Sequence, residues 1–191
     1  PVNKAPKVFD IIYCDPPWSY NEMVMRGKNK APTGSAEDHY PTMSIDELKR
    51  LPVGEIAAKN SLCIMWTTGP QLDVSIELLE KWSFKYITIG FCWHKCRVLP
   101  SSYFMSSVEI AIVGKKGSIP KERATFSEEQ FLSRPRTRHS EKPEEFRHRI
   151  DRTWPNADKI ELFSRTAAPG WWTWGNQSPE CVFLPALDIP W

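Results

Sequence analysis

The chain has 191 residues, 41% hydrophobic and 25% charged, which suits one domain built around a single core. No apolar stretch approaches the length of a bilayer span and no signal-peptide pattern opens the sequence, so a membrane-free, cytoplasmic protein (nuclear in a eukaryote) is expected. A net charge of +2 permits nucleic acid as a partner without arguing for it.

Val8 to Cys14 (VFDIIYC) is a short β-branched and aromatic run that stops at Asp15-Pro16-Pro17, which predicts a buried strand. Ser19 to Pro41 is polar, with Gly27, Pro32 and Gly34, and reads as a long loop. Ser44 followed by Glu47 is a capping box that opens a helix to about Leu51. Ser61 to Thr67 predicts a second buried strand, and Pro70 to Trp82 a helix with Leu72, Ile76 and Leu79 on one face. Phe84 to His94 and Val108 to Gly114 predict two more strands, separated by a loop over Lys95 to Ser107. Gly117 to Ser140 reads as irregular, Pro143 to Trp154 as a helix and Lys159 to Phe163 as a strand. Ala167 to Gln177 is a Trp-rich turn region, and Ser178 to Trp191 an extended, Pro-rich tail. Strands alternating with helices predict an α/β fold with a mostly parallel sheet, as one domain over residues 1–177.

The five cysteines (Cys14, Cys63, Cys92, Cys96 and Cys181) are odd in number and scattered, and read as reduced core residues. Cys92, His94 and Cys96 lack a second Cys or His pair at zinc-site spacing, so no metal is expected.

In an open α/β sheet, ligands gather at the carboxyl ends of strands, and Asp15-Pro16-Pro17-Trp18 follows the first strand. The motif offers a carboxylate, a carbonyl held by the second proline, and an aromatic plane. The exocyclic amine of a nucleobase has two N–H donors and a lone pair delocalised into the ring. The Asp15 side chain and the Pro16 carbonyl can accept both N–H groups and draw the nitrogen toward a nucleophilic geometry, while Trp18 stacks on a flipped base. The plainer alternative is a proline turn after a strand.

Further blocks accompany this motif in order. They are YPTMS at Tyr40 to Ser44, WTT at Trp66 to Thr68, GFCWHK ending at Lys95, and VEIAIVGKKG at Val108 to Gly117. RHSEKP at Arg138 to Pro143, KIELFSR at Lys159 to Arg165 and PGWWTWGNQ at Pro169 to Gln177 follow. With these blocks the chain resembles the MT-A family of N6-adenine methyltransferases from about Phe9 to Gln177.

The resemblance implies a Rossmann-like methyltransferase fold with helices on both faces of the sheet and a permuted motif order. It implies S-adenosylmethionine as cofactor and the adenine N6 amine of nucleic acid as substrate, with DNA preferred over RNA. By the same resemblance Asp15 and Pro16 hold the target amine, within a catalytic motif completed by Pro17 and Trp18. Asp15 and Lys142 meet the methionine end of the cofactor, Glu161, Phe163 and Arg165 line its ribose, and Asn176 and Gln177 contact the ribose and adenine. Relatives often carry a further N-terminal segment contacting the cofactor adenine, and a histidine where this chain has Val108. No catalytic role is assigned to Glu109, for which a buried partner of the loops is an equal reading.

Arg134 to Arg152 contains seven Lys or Arg against four Asp or Glu, tightest at Arg134, Arg136, Arg138 and His139. With Arg26, Lys28, Lys30, Lys95 and Arg97 these cations would attract phosphates without reading sequence, although a solvated surface is an equal reading. Tyr40, Trp93 and Tyr103 are candidates for stacking or wedging against bases, or for ordinary packing. The remaining alternatives are an RNA enzyme, a catalytically inert partner subunit of the same fold, and an amino methyltransferase acting on cytosine N4 or a small molecule. One small domain has little room for a sequence-reading module, so either recognition is relaxed or a homodimer or partner subunit supplies it.

Overall fold

The apolar run at the start of the chain forms strand β1 (Phe9–Cys14), and its hydrophobicity on both faces is that of a strand buried on both sides. The computed structural model describes residues 8–19, 42–100, 103–120, 123–125, 127–136, 141–176, 178, 181–182, 184 and 187. After β1 come helix α1 (Ile45–Arg50), β2 (Ala57–Thr67), helix α2 (Leu72–Lys81), β3 (Lys85–Leu99) and β4 (Ser106–Lys116). Then follow β5 (Phe131–Ser133), helix α3 (Glu145–Thr153), β6 (Lys159–Leu162) and β7 (Trp172–Trp174).

The strands form one mixed seven-stranded sheet in the order β5-β3-β4-β2-β1-β6-β7. It is mostly parallel, with β4 alone running against its neighbours β2 and β3. Side-chain alternation along β1 divides the core into two layers. Ile12 and Cys14 join the layer containing Leu48 of α1 and Leu78 and Leu79 of α2. Ile11 and Tyr13 join the layer containing Phe146 and Ile150 of α3. The sheet is thus covered on both faces.

The Ser44–Glu47 capping box is present: the Glu47 N–H donates to the Ser44 hydroxyl and the Ser44 N–H to the Glu47 carboxylate at 2.7 Å. Those bonds hold the Glu47 carboxyl below its ordinary range. Helix α2 begins just after a single 3-10 turn containing Pro70, where the missing N–H costs nothing.

Several expected boundaries move. The loop expected over 95–107 is largely strand, because β3 continues to Leu99 and β4 starts at Ser106. Four residues of β3, Lys95 to Val98, stand opposite the single Ser107 of β4, and Cys96 within this bulge has φ +54°. The irregular stretch contains β5, which pairs with β3 while Arg149 of α3 donates to the carbonyls of Glu129 and Phe131 at 2.6 and 3.0 Å. The Trp-rich turn contains β7. The segment expected as an extended tail packs back: the Val182 N–H donates to the Thr173 carbonyl, and Leu184 and Leu187 are buried in the α1–α2 layer. Of the cysteines, Cys14 and Cys63 are core residues, Cys92 is half-buried, and Cys96 and Cys181 are exposed; all five are free thiols.

Candidate active site

Asp15 follows β1 and Phe163 follows β6, and these strands are parallel neighbours paired Cys14 to Leu162. The site therefore opens at the carboxyl edge of the sheet. The far ends of β3 and β4 project past the same edge, since β4 pairs antiparallel with β2 up to Thr67 and continues beyond it.

Two prolines in succession remove two backbone donors, so Asp15-Pro16-Pro17 presents mainly acceptors. The Trp18 N–H donates to the Pro16 carbonyl at 2.8 Å across Pro17, a three-residue turn that leaves that oxygen a second lone pair. The Met43 N–H donates to the Pro17 carbonyl at 2.8 Å and the Ser19 N–H to the Met43 carbonyl at 3.2 Å. The motif is thereby pinned to the entry of α1.

Trp18 differs from expectation. It is only 7% exposed and lies in the α1–α2 core layer with Met43. Its ring packs the motif from behind instead of presenting an open stacking face. Its indole N–H is buried and has no hydrogen-bond partner among the described residues.

Four side chains of alternating charge meet in front of the motif. Lys142 Nζ lies 2.5 Å from Asp15 Oδ2 and 3.4 Å from Glu109 Oε2, and Lys95 Nζ lies 3.1 Å from Glu109 Oε1. Lys142 also sits over the Trp66 ring, 5.5 Å from its centroid, and the Trp66 indole N–H donates to the Tyr13 hydroxyl at 2.6 Å. Burial pushes the Asp15 carboxyl above its ordinary value although Lys142 pulls the other way. At Glu109 burial also pushes up, but Lys142 and Lys95 outweigh it and hold the carboxyl low. Burial opposes the Lys142 charge, yet Asp15 and Glu109 together raise its pKa, so the ammonium stays protonated.

A second group lies one strand away. Glu161, opposite Tyr13 in the β1–β6 register, pairs with Arg147 at 2.7 Å, and burial raises its carboxyl against the pull of that guanidinium. Phe163 adopts φ +60° and meets Trp174 edge-on at 5.6 Å. The Ser164 N–H donates to the Trp174 carbonyl at 3.1 Å. A Cβ on Gly175 would collide with the Ser164 carbonyl oxygen and stand 2.7 Å from the Ser164 nitrogen, so only glycine allows this close approach. Arg165 and Asn176 are exposed at the rim, and the charge of Arg165 acts on both Asp15 and Glu161.

The expected substrate residues divide. Trp93 is 1% exposed, and its indole N–H donates to the Arg134 carbonyl at 2.8 Å, so it packs β5 against β3 instead of meeting a base. Lys95 is buried against Glu109 and offers no surface charge. Arg134 is exposed and Arg136 half-buried at the end of β5. Tyr40, Arg138, His139, Gln177, Arg26, Lys28 and Lys30 lie outside the described residues. Among the described residues no group of three or more His, Cys, Asp or Glu could hold a metal ion.

Arg147, Trp66 and Tyr13 join the site without having been expected there, and Glu109 joins it as a half-buried partner of Lys142 and Lys95. Glu109 did carry a signal, as the one charged residue inside the apolar run VEIAIVG.

The sequence matches the MT-A70 family over residues 9–177. It is 38% identical over 185 residues to the type II methyltransferase M.MunI of a Mycoplasma species, covering 91% of this chain and 79% of that one. It is 27% identical over 191 residues to the human N(6)-adenine-specific methyltransferase METTL4, covering 90% of this chain and 38% of that one. Against an Arabidopsis thaliana N(6)-adenosine-methyltransferase MT-A70-like protein it is 28% identical over 179 residues, covering 88% and 24%. The chain thus spans less than half the length of these two plant and human relatives. With a match running through residues 9–177 and 38% identity to a relative covered over 79% of its length, this chain belongs to the MT-A70 family of N6-adenine methyltransferases.

Proposed function

We propose that this chain, read as a single methyltransferase domain whose core also takes in Leu184 and Leu187 beyond residue 177, moves a methyl group from S-adenosylmethionine to the N6 amine of adenine in DNA. The observation that carries the reading is the Asp15 carboxylate, partly open to solvent beside the Pro16 carbonyl, with one oxygen held by Lys142. Its strand order supports the permuted Rossmann-like arrangement, because β6, late in the chain, lies beside β1 in the sheet. Similarity to a type II methyltransferase supports DNA over RNA. No helix among the described residues is long and apolar enough to cross a membrane.

The residues present fit the cofactor. Its amino-acid end carries one charge of each sign, and Lys142 and Asp15 supply the opposite pair side by side. Glu161, fixed by Arg147, can accept from ribose hydroxyls, and the Phe163 turn against Gly175 keeps the backbone wall close. Arg165, Asn176 and Gln177 would complete that end. When bound, the cofactor supplies an electrophilic methyl on a sulfonium.

Lys142 occupies Asp15 Oδ2, which leaves Oδ1 to accept one N–H of the target amine while the Pro16 carbonyl accepts the other. These bonds strengthen as positive charge develops on the nitrogen, so they favour the transition state over the bound substrate. Attack by the amine needs alignment and no covalent enzyme intermediate. Cys14 stays out of it: it is fully buried, and burial holds its thiol well above the ordinary value.

The test is mass spectrometry of nucleosides from duplex DNA, single-stranded DNA and RNA incubated with the protein and methyl-labelled cofactor. Labelled N6-methyldeoxyadenosine is expected. Label only on RNA adenosine would move the substrate to RNA, and label on cytosine would remove the adenine assignment. No label from folded, cofactor-bound protein would make the chain an inert partner subunit.

A further inference from the structure

The β3–β4 hairpin ends in side chains that the fold does not use. Tyr103 is 92% exposed and Phe104 87%, with Val98 and Met105 more than half exposed beside them. Two adjacent aromatic rings standing in water at a hairpin tip gain nothing from the core, and clustered exposure of this kind marks a contact surface.

The arm behind them is braced. Lys95 and Glu109 bridge its two strands at 3.1 Å, and Glu109 joins through Lys142 to Asp15. On its outer side β5 pairs with β3, locked by the Trp93 indole N–H on the Arg134 carbonyl and by the Arg134 N–H on the His94 carbonyl at 3.0 Å. The hairpin projects past the sheet edge at which β1 ends in Asp15, so the tip and Asp15 belong to the same edge of the sheet.

Charge selects the occupant. Arg97 and Arg134 are exposed and Arg136 half-buried near the base of this arm, and no ion pair ties any of them to a carboxylate among the described residues. A two-fold contact between copies would bring these arginines toward their own images, which opposes association. A polyanion with apolar interior faces suits both features, cations for its phosphates and rings for its bases.

We propose that Tyr103 and Phe104 wedge into the base stack of duplex DNA next to the target adenine while Arg97, Arg134 and Arg136 hold flanking phosphates. This rests on the adenine-in-DNA reading and adds how the base leaves the helix. An amine inside a duplex is out of reach of Asp15, and unstacking a paired base is costly. An aromatic pair carried on this braced arm fills the gap that the extruded base leaves.

The experiment compares wild type with Tyr103→Ser/Phe104→Ser on three substrates: an intact duplex, the same duplex with an abasic site opposite the target adenine, and the single strand. The double variant should lose on the order of tenfold more kcat/KM on the intact duplex than on the two pre-opened substrates, because only the intact duplex demands full unstacking. With 2-aminopurine at the target, wild type should raise fluorescence on binding the intact duplex and the variant should raise it less. Both substitutions are at exposed positions, and a melting curve matching wild type checks the fold. Phe104→Trp should keep the wild-type preference. Equal losses on all three substrates, no loss on any, or a wild type active only on single strands would overturn the wedge. So would a loss accompanied by a shift from dimer to monomer in sedimentation, which would make the tip a contact between copies. If wild type labels adenine in no DNA at all, the adenine-in-DNA reading itself fails.

Discussion

Lys142 Nζ lies 2.5 Å from Asp15 Oδ2, joining residues 127 positions apart in the chain. The contact ties Asp15, the proposed amine acceptor at the end of β1, to the segment leading into α3, and the same ammonium reaches Glu109 on β4. The Asp15 carboxylate is therefore oriented from outside its own motif.

Removing that acceptor should stop chemistry before it stops folding. Asp15→Asn and Asp15→Ala are expected to lower kcat on the order of a hundredfold, the scale on which a preorganised transition-state hydrogen bond acts. Asp15→Asn also places a donor where the amine needs an acceptor. Cofactor affinity should fall less than kcat, and Cys14→Ala should keep turnover. Single-turnover methyl transfer with calorimetric cofactor binding checks all of these, and near-normal kcat in Asp15→Ala would remove the mechanism.

The acid side of the pH–rate profile should belong to Asp15. It accepts from the amine only when ionised, so kcat/KM should fall as pH drops through a value above the ordinary carboxylate range. Lys142 lowers that value, so Lys142→Met should move the acid limb to higher pH. The stability sign is opposite. A carboxyl raised on folding contributes stability below its unfolded value and loses it as pH rises through the folded one, so acid loss of rate is not unfolding by this group. An acid limb that stays in place in Lys142→Met would contradict the assignment.

Glu109 is the shared anion of the buried Lys95 ammonium and the half-buried Lys142 ammonium. Glu109→Leu should cost about 3 kcal/mol in urea unfolding, because it leaves Lys95 without a counter-charge. Adding Lys95→Met should recover most of that loss. Because Glu109 is held low in the fold, its contribution is present above its unfolded value and fades as pH falls through the folded one. Additive losses in the double variant would show that the two residues are not coupled.

Arg134 and Arg136 are read as phosphate contacts. Arg134→Glu/Arg136→Glu should raise KM for DNA more than it lowers kcat. The slope of log affinity against log salt should become shallower by about 0.9 for each phosphate that is no longer neutralised. An unchanged slope in fluorescence-anisotropy titrations would return both arginines to plain solvated surface.

Gly175→Ala places a methyl where the Ser164 backbone stands, in collision with its carbonyl oxygen. The Phe163–Arg165 turn must then shift, so cofactor affinity should fall at least tenfold with a lower melting temperature. Calorimetry and thermal denaturation check both, and wild-type affinity would show that the turn does not shape the cofactor site.

Local sequence was enough wherever one short segment decided the outcome by itself. The β-branched run ending in Asp15-Pro16-Pro17, the Ser44–Glu47 box and helix α2 form because their propensities and caps are properties of neighbouring residues, although the face that α2 buries is centred on Val74, Leu78 and Leu79, with Leu72 and Ile76 at its flank. The motif blocks likewise pointed to the family from residue identity alone. Tertiary structure decided what depends on partners distant in the chain. Strands β5 and β7 are three residues each, too short for any period to show, and exist because β3 and β6 offer edges to pair with. Trp18 and Trp93 look like stacking platforms by composition, yet the sheet turns both rings into the core. Lys95 reads as a phosphate cation until the bulge in β3 brings it against Glu109. Whether a charge faces solvent or a buried partner is set by which strands lie side by side, and periodicity within one segment carries no record of that.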